Sequence, residues 1–147
     1  MLSTSDPFLL DNQLCFALYA ASLAMSKTYK PHLDRVGLTY PQYLVMLVLW
    51  ERDDLTVSEI GDRLYLDSGT LTPLLKRLET SGYVKRQRDP ADERKVRVGL
   101  TPTGKQLKRK LSTVPQDLLA ATQCSRKEAT ALADTLRALR HNLGPNT

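Results

Sequence analysis

Residues 66–101 read LDSGTLTPLLKRLETSGYVKRQRDPADERKVRVGLT, and the order of signals in this stretch decides the fold. Asp67 or Ser68 can cap a helix in which Leu71, Leu74, Leu75 and Leu78 share one face, and Gly82 stops it. With the cap at Asp67, Pro73 falls in the second turn, where its missing N–H loses a helical bond and a local distortion is expected. A basic strand follows, then a polar turn at Asp89-Pro90-Ala91-Asp92, then a second strand. In that second strand Val96, Val98 and Leu100 point one way, and Lys95, Arg97 and Gly99 the other. The charge is concentrated here. Residues 71–110 carry a net +8, whereas residues 1–70 carry −4 and residues 111–147 carry +1, within a chain total of +5. Scattered solvating charge does not produce this pattern, and a polyanion is the leading partner.

Upstream, TVSEIGDRLYL opens with Thr56 and Glu59 at capping-box spacing, so a short helix starts at Val57. Before it, TYPQYLVMLVLWERD reads as a strongly buried helix with Thr39 as cap and Pro41 in its first turn. At the N-terminal side LDNQLCFALYAAS begins a helix capped by Asp11, with Leu14, Leu18, Ala21, Met25 and Tyr29 recurring at helical spacing. That helix is expected to end where Pro31 and Gly37 interrupt it. Downstream, Thr101 caps a helix with Pro102 at its first position and an apolar stripe of Leu107, Leu111, Val114, Leu118 and Leu119, bent at Pro115. The final helix starts at a second capping box, Ser125 and Glu128, and carries Ala129, Leu132, Leu136, Leu139 and Leu143.

The 147 residues suit one domain, with no internal repeat or Gly/Ser-rich linker. The longest apolar run, YLVMLVLW, is far short of the roughly 18 residues a membrane span needs. The first residues lack a basic lead-in and an apolar core, so no signal peptide is read, and the expected place is the cytoplasm. Two cysteines in such a chain argue against a disulfide scaffold. His32 and His141 lack metal-type spacing, and no glycine-rich phosphate loop or acid/base dyad is evident. No metal or cofactor is expected, and an enzyme is not, although a thiol peroxidase would also use the two cysteines.

Two short helices followed by a basic hairpin form the layout of a winged helix-turn-helix, a mainly α fold with a small β wing (α+β). The second helix can lie in the DNA major groove, with Ser68, Thr70 and Thr72 toward bases and phosphates and Lys76 and Arg77 further along. Arg86 and Arg88 on the first strand, with Asp92, Arg94 and Lys95 on the second, complete the candidate DNA-binding set. Arg94 suits an adjacent minor groove, whose negative potential favours an inserted arginine. The bland alternative is a hairpin whose Lys and Arg merely solubilise an edge.

At Asp92, Arg94, Val98, Leu100 and Thr101 the chain carries D-x-R-x-x-x-V-x-L-T, which resembles the wing signature of the MarR family of winged-helix regulators. LDNQLCFALYAAS together with LTYPQYLVMLVLWE is similar to the organic hydroperoxide resistance regulators (OhrR) within that family, of the two-cysteine type. The resemblance spans essentially residues 7–145. It implies a homodimeric repressor on a pseudo-palindromic operator, with residues 8–36 and 102–145 as dimerisation helices and 39–101 as the DNA-binding region. An organic hydroperoxide would release the operator by oxidising Cys15. The long Leu/Ala stripes of the first and last two helices support a dimer independently, being more apolar face than one small wing domain can cover.

Peroxide attack needs a thiolate. The helix start favours one at Cys15, whereas Asp11 and the apolar neighbours oppose it. In the resembled subfamily tyrosine hydroxyls of the partner subunit hydrogen-bond the sulfur, at positions matching Tyr29 and Tyr40, and Tyr19 can assist. Phe16 and Leu18 suggest a preference for greasy hydroperoxides. Cys124 resembles the resolving thiol, which condenses with oxidised Cys15 of the other subunit to a disulfide. Plainer readings remain. Cys15 can be a small core filler, the tyrosines ordinary interface aromatics, and Cys124 a stray thiol. A repressor of this family released by a small aromatic ligand, with Cys15 inert, is the alternative function.

Overall fold

A computed structural model describes residues 6–144. The first five residues, which bear on the signal-peptide reading, and Pro145, at the end of the expected dimerisation segment, lie outside the described residues. The described chain is mainly helical, with a small three-stranded sheet. Its elements are α1 (Leu14–Asp34), α2 (Tyr40–Glu51), β1 (Leu55–Thr56), α3 (Val57–Leu64), α4 (Ser68–Thr80), β2 (Val84–Asp89), β3 (Asp92–Leu100), α5 (Pro102–Lys110), α6 (Val114–Thr122) and α7 (Arg126–Leu143).

Local signals set most helix starts. Thr39 with Gln42, Thr56 with Glu59, and Ser125 with Glu128 each form reciprocal side-chain-to-backbone caps on α2, α3 and α7. Asp67 caps α4 by accepting from the Thr70 N–H at 2.7 Å, and Pro73 is accommodated inside that helix. Helix α2 is apolar on nearly every side and is the central element, burying Tyr43, Val45, Met46, Val48 and Leu49. Leu71, Leu75 and Leu78 of α4 are fully buried against the core, each worth about 2 kcal/mol of transfer free energy.

The expected hairpin is present, and β3 pairs antiparallel with β2 from Val84↔Leu100 to Arg88↔Val96, with an irregularity before the turn. A third strand, β1, adds to it. Leu55 pairs with Val98 and Thr56 with Arg97, giving sheet order β1-β3-β2. The pairing joins the start of the helix-turn-helix to the wing.

Three expectations need correction. Asp11 does not cap α1; it lies in a 3₁₀ turn, Leu10–Asn12, and the residue before the helix is Gln13. The Gln13 amide donates instead to the carbonyls of Pro7 and Leu9, folding the chain back before α1 begins. Helix α1 does end between Pro31 and Gly37, at Asp34, as expected; it passes through Pro31, where burial of Leu33 offsets one missing backbone bond near the helix end. The single bent helix after Thr101 is two helices. A proline at 115 inside a helix would clash with the Leu111 carbonyl, so α5 stops at Lys110 and Pro115 falls in the first turn of α6, where no N–H is needed. Finally, Leu107, Leu111, Val114 and Leu118 are covered within the protomer. The uncovered apolar faces belong to α1, which buries only Leu33, and α7, which buries none of its residues.

Candidate nucleic-acid interface and thiol region

Helix α4 presents Ser68, Thr70, Lys76 and Arg77 on its exposed side, with Thr72 half-buried. The Thr70 N–H at its first turn holds the Asp67 carboxyl below the usual carboxylate range. A cleft of about 230 Å³ lies between the starts of α3 and α4 and the strand β3. It brings together Ser68, Thr72, Arg94 and Lys95 and adds Ser58, which the sequence reading did not single out. Two helix N-termini and two cations facing one cleft suit the phosphate backbone of a nucleic acid.

In the wing, Asp92 braces Arg94. The Asp92 carboxylate accepts from Arg94 Nε at 3.1 Å, from Nη2 at 3.3 Å and from the Arg94 backbone N–H at 3.1 Å. Those bonds, the side-chain pair first, hold the Asp92 carboxyl low. The Arg94 side chain is 91% exposed, so the brace aims a guanidinium outward rather than burying it. Arg86 and Arg88 are engaged internally: Arg86 pairs with Glu79 of α4 at 3.0 Å, and Arg88 donates to the Glu93 carbonyl at 2.8 Å.

Arg97 was placed only by its face. It is the clamp of the wing. Its guanidinium binds the Asp54 carboxylate at 3.0 Å, the Asp54 carbonyl at 2.7 Å and the Asp89 carboxylate at 3.3 Å. The loop after α2 is thereby tied to the hairpin turn, and the Asp53-Asp54 pair was the readable hint.

Cys15 is the second residue of α1 and exposed, in the first turn, where amide groups lack intrahelical partners. Phe16 beside it is exposed and Leu18 half-buried, and Tyr19 lies one turn further along the same face. Cys124 is half-buried between left-handed Gln123 and the Ser125 cap, its N–H donating to Thr122 Oγ1 at 3.1 Å. Both thiols are unpaired.

Tyr29 and Tyr40 pack with ring centroids 4.7 Å apart, and Tyr43, which the sequence reading missed, completes a trio at 5.7 and 6.4 Å. A groove of about 310 Å³ opens beside Tyr29 and Tyr40. Fourteen residues of helix, about 21 Å at 1.5 Å per residue, separate Tyr29 from Cys15 of the same chain. Burial first, then Tyr40 and Tyr43, push Tyr29 up to about 12 from 10.0. At neutral pH its hydroxyl is therefore a donor. Because the folded protein holds that proton more tightly than the unfolded chain, this stabilisation is complete below about pH 10 and lost as pH rises toward 12. An ultraviolet titration is expected to find Tyr29 among the last tyrosines to ionise, and a Tyr29→Phe protein to lack that late step.

Among the described residues no helix is long and apolar enough to cross a membrane, and no group of His, Cys, Asp or Glu could hold a metal ion. Comparison with known proteins agrees with the reading frame of helix, turn, helix and wing. A family model described as transcriptional regulator SarA/Rot matches residues 27–111. The chain is 48% identical over 138 residues to the organic hydroperoxide resistance transcriptional regulator of Bacillus subtilis (strain 168), covering 94% of each. It is 54% identical over 138 residues to the HTH-type transcriptional regulator TtmR of Methylorubrum extorquens (strain PA1), covering 94% of this chain and 71% of that one. Reduced AbfR bound to DNA superposes with a TM-score of 0.77 at 37% identity, over 92% of this chain and 95% of that one. AbfR has also been solved in a disulfide-formed state, with a TM-score of 0.65 at 40% identity, over 88% and 91%. Relatives of this closeness are regulators and not enzymes, and with α4, the wing and the cleft between them this chain belongs to the MarR-like family of winged-helix transcriptional regulators, DNA-binding proteins that include the organic hydroperoxide resistance regulator.

Proposed function

We propose that the protein is a redox-sensing repressor that leaves its operator when an organic hydroperoxide oxidises Cys15. The observation that carries this is the placement of Cys15. It lies exposed in the first turn of α1, on a helix whose apolar face is uncovered, about 21 Å from the Tyr29–Tyr40 pair at the other end. A second copy laid antiparallel along α1 would cover Leu14, Leu18, Ala21 and Met25 and bring each sulfur toward the other copy's tyrosines. In this reading α1 and α7 are the dimerisation helices and residues 39–101 the operator-binding unit. Relatives named for organic hydroperoxide resistance and for a disulfide-formed state support it.

The chemistry is balanced. The Cys15 thiolate attacks the terminal peroxide oxygen, the O–O bond breaks, and the alkoxide leaves with a proton as an alcohol. Sulfur has given two electrons and is a sulfenic acid. The Cys124 thiol of the second copy then attacks that sulfur, forming an S–S bond and expelling water. Closure requires Cα atoms within about 7 Å, so the helices move if the reduced thiols stand farther apart. A dithiol reverses the step by exchange.

The test is a gel shift on the DNA upstream of the protein's own gene, with cumene hydroperoxide and then dithiothreitol. The wild-type protein is expected to release DNA on oxidation and rebind after reduction. Cys15→Ser is expected to stay bound, and Cys124→Ser to form no reversible crosslinked dimer. Release of Cys15→Ser as complete as that of the wild type would overturn the reading.

A further inference from the structure

Helix α7 reaches the DNA-binding unit at a contact outside the thiol and DNA sites. The Arg140 guanidinium carbon lies 3.3 Å above the centroid of the Tyr65 ring, at the distance of a stacked cation–π pair. Tyr65 is no core residue: it is 61% exposed and turned toward α7. Together with Leu136, Arg137 and His141 the pair borders a groove of about 430 Å³ between α7 and the end of α3.

The backbone beneath Tyr65 explains why this contact matters. Tyr65 closes α3 in the left-handed conformation, φ +60°, with its N–H on the Gly61 carbonyl. The next N–H, of Leu66, goes to the same carbonyl at 3.0 Å. A Cβ on Gly61 would lie only 2.6 Å from the Leu66 carbonyl oxygen, so the turn is packed as tightly as a chain with glycine there allows. Asp67, two residues beyond Tyr65, is the cap of α4. Force applied to the Tyr65 ring therefore acts on a stiff turn that carries the recognition helix.

The other end of α7 begins at Ser125, directly after Cys124. The 18 residues of the helix contain neither glycine nor proline, and about 21 Å separate Arg126 from Arg140. Helix α7 buries none of its residues in the protomer, so little else in the same chain holds it. A continuous rod, free to shift against its own chain when its apolar face is carried by the second copy, runs from Cys124 to the turn before the recognition helix.

We propose that Arg140 and Tyr65 are positioning residues that transmit movement of α7 to the helix-turn-helix, so that disulfide formation at Cys124 displaces α4 from the operator. This rests on the proposed redox function for its input. Cation–π stacking suits such a role, because a guanidinium held 3.3 Å above the ring carries its attraction to Tyr65 as long as the two stay stacked.

The experiment compares wild type, Arg140→Gln, Tyr65→Leu and Tyr65→Phe, each reduced or oxidised with cumene hydroperoxide. Crosslinking is read on a non-reducing gel and operator affinity by fluorescence anisotropy. The wild type is expected to crosslink and lose roughly 5–150-fold in affinity, the ordinary range of a coupling free energy. Arg140→Gln and Tyr65→Leu are expected to bind when reduced and to crosslink as fully, yet to lose no more than about 3-fold on oxidation. Tyr65→Phe, which keeps the ring, is expected to behave as wild type. Crosslinked Arg140→Gln and Tyr65→Leu proteins that leave DNA as fully as wild type overturn the contact while leaving the redox reading intact. Reduced and oxidised affinities that fall together, with their ratio unchanged, assign the pair a structural role and also overturn it. A wild-type protein that crosslinks without losing affinity, or does not crosslink, overturns the redox reading and this inference with it.

Discussion

Replacing Arg94 by alanine is expected to weaken operator binding by roughly 100-fold or more, taking two charge-assisted contacts at about 1.5–3 kcal/mol each in the proposed dimer. The side chain has no internal task that would confuse the result. It is almost fully exposed, its only described side-chain partner is Asp92, and an exposed pair of that kind adds little to folding stability. The loss should therefore appear in affinity and not in melting temperature. Where the contact is to phosphate, the slope of log affinity against log salt should fall by about 2 for the two subunits. Arg97→Ala offers the contrast. It removes the clamp on Asp54 and Asp89 without removing an outward cation, so its affinity loss should come with a loosened wing and a lower melting temperature. Unchanged binding by Arg94→Ala would remove the hairpin tip from the interface.

Gly104→Ala is expected to be the most damaging small substitution, destabilising the protein by about 3 kcal/mol and lowering the melting temperature by roughly 6–12 °C. The added Cβ would overlap the carbonyl oxygen of Tyr83, a backbone atom. That carbonyl cannot retreat easily. It accepts the Thr101 N–H at 3.1 Å, and the neighbouring Gly82 carbonyl accepts the Thr101 hydroxyl at 2.6 Å. Gly104 itself donates its N–H to Thr101 Oγ1 at 3.0 Å and accepts the Trp50 indole N–H at 2.9 Å. Any shift that relieves the overlap breaks bonds joining α2, α5 and the base of the wing. Gly69→Ala is the control: its Cβ would meet only Asp67 Oδ1 at 3.5 Å, and it should be neutral or stabilising by up to roughly 1 kcal/mol. Differential scanning calorimetry of the two variants checks both signs.

What could be read from residue order was whatever is written within four or five neighbours. The Thr56–Glu59 and Ser125–Glu128 caps, the Asp67 cap and the alternation through Val96, Val98 and Leu100 are local, and each stands where it was expected. Most of what failed depends on partners distant in the chain. Strand β1 is two residues long, too short for any period, and exists because Val98 and Arg97 lie beside it. The Arg97 clamp spans 43 residues to Asp54, and the Trp50–Gly104 bond spans 54. The Asp11 cap is a local failure: α1 starts after Gln13, whose side chain caps no helix N–H and instead finds carbonyls four and six residues back. Tyr43 looked like one more apolar position of a buried helix, and only the folded α1–α2 packing sets it against Tyr29 and Tyr40.

The pairing of β1 with β3 has a consequence for how such a protein can be switched. Strand β1, the Arg97 clamp and the Arg86–Glu79 bridge fasten the wing to the two helices it flanks. In the proposed function the operator-reading unit thus resembles a caliper jaw of fixed shape, with one tooth for each groove. A jaw of fixed shape has no graded setting of its own. In the proposed dimer the adjustable quantity would be the gap between two jaws, and a base sequence would be accepted or refused according to whether its half-sites match that gap.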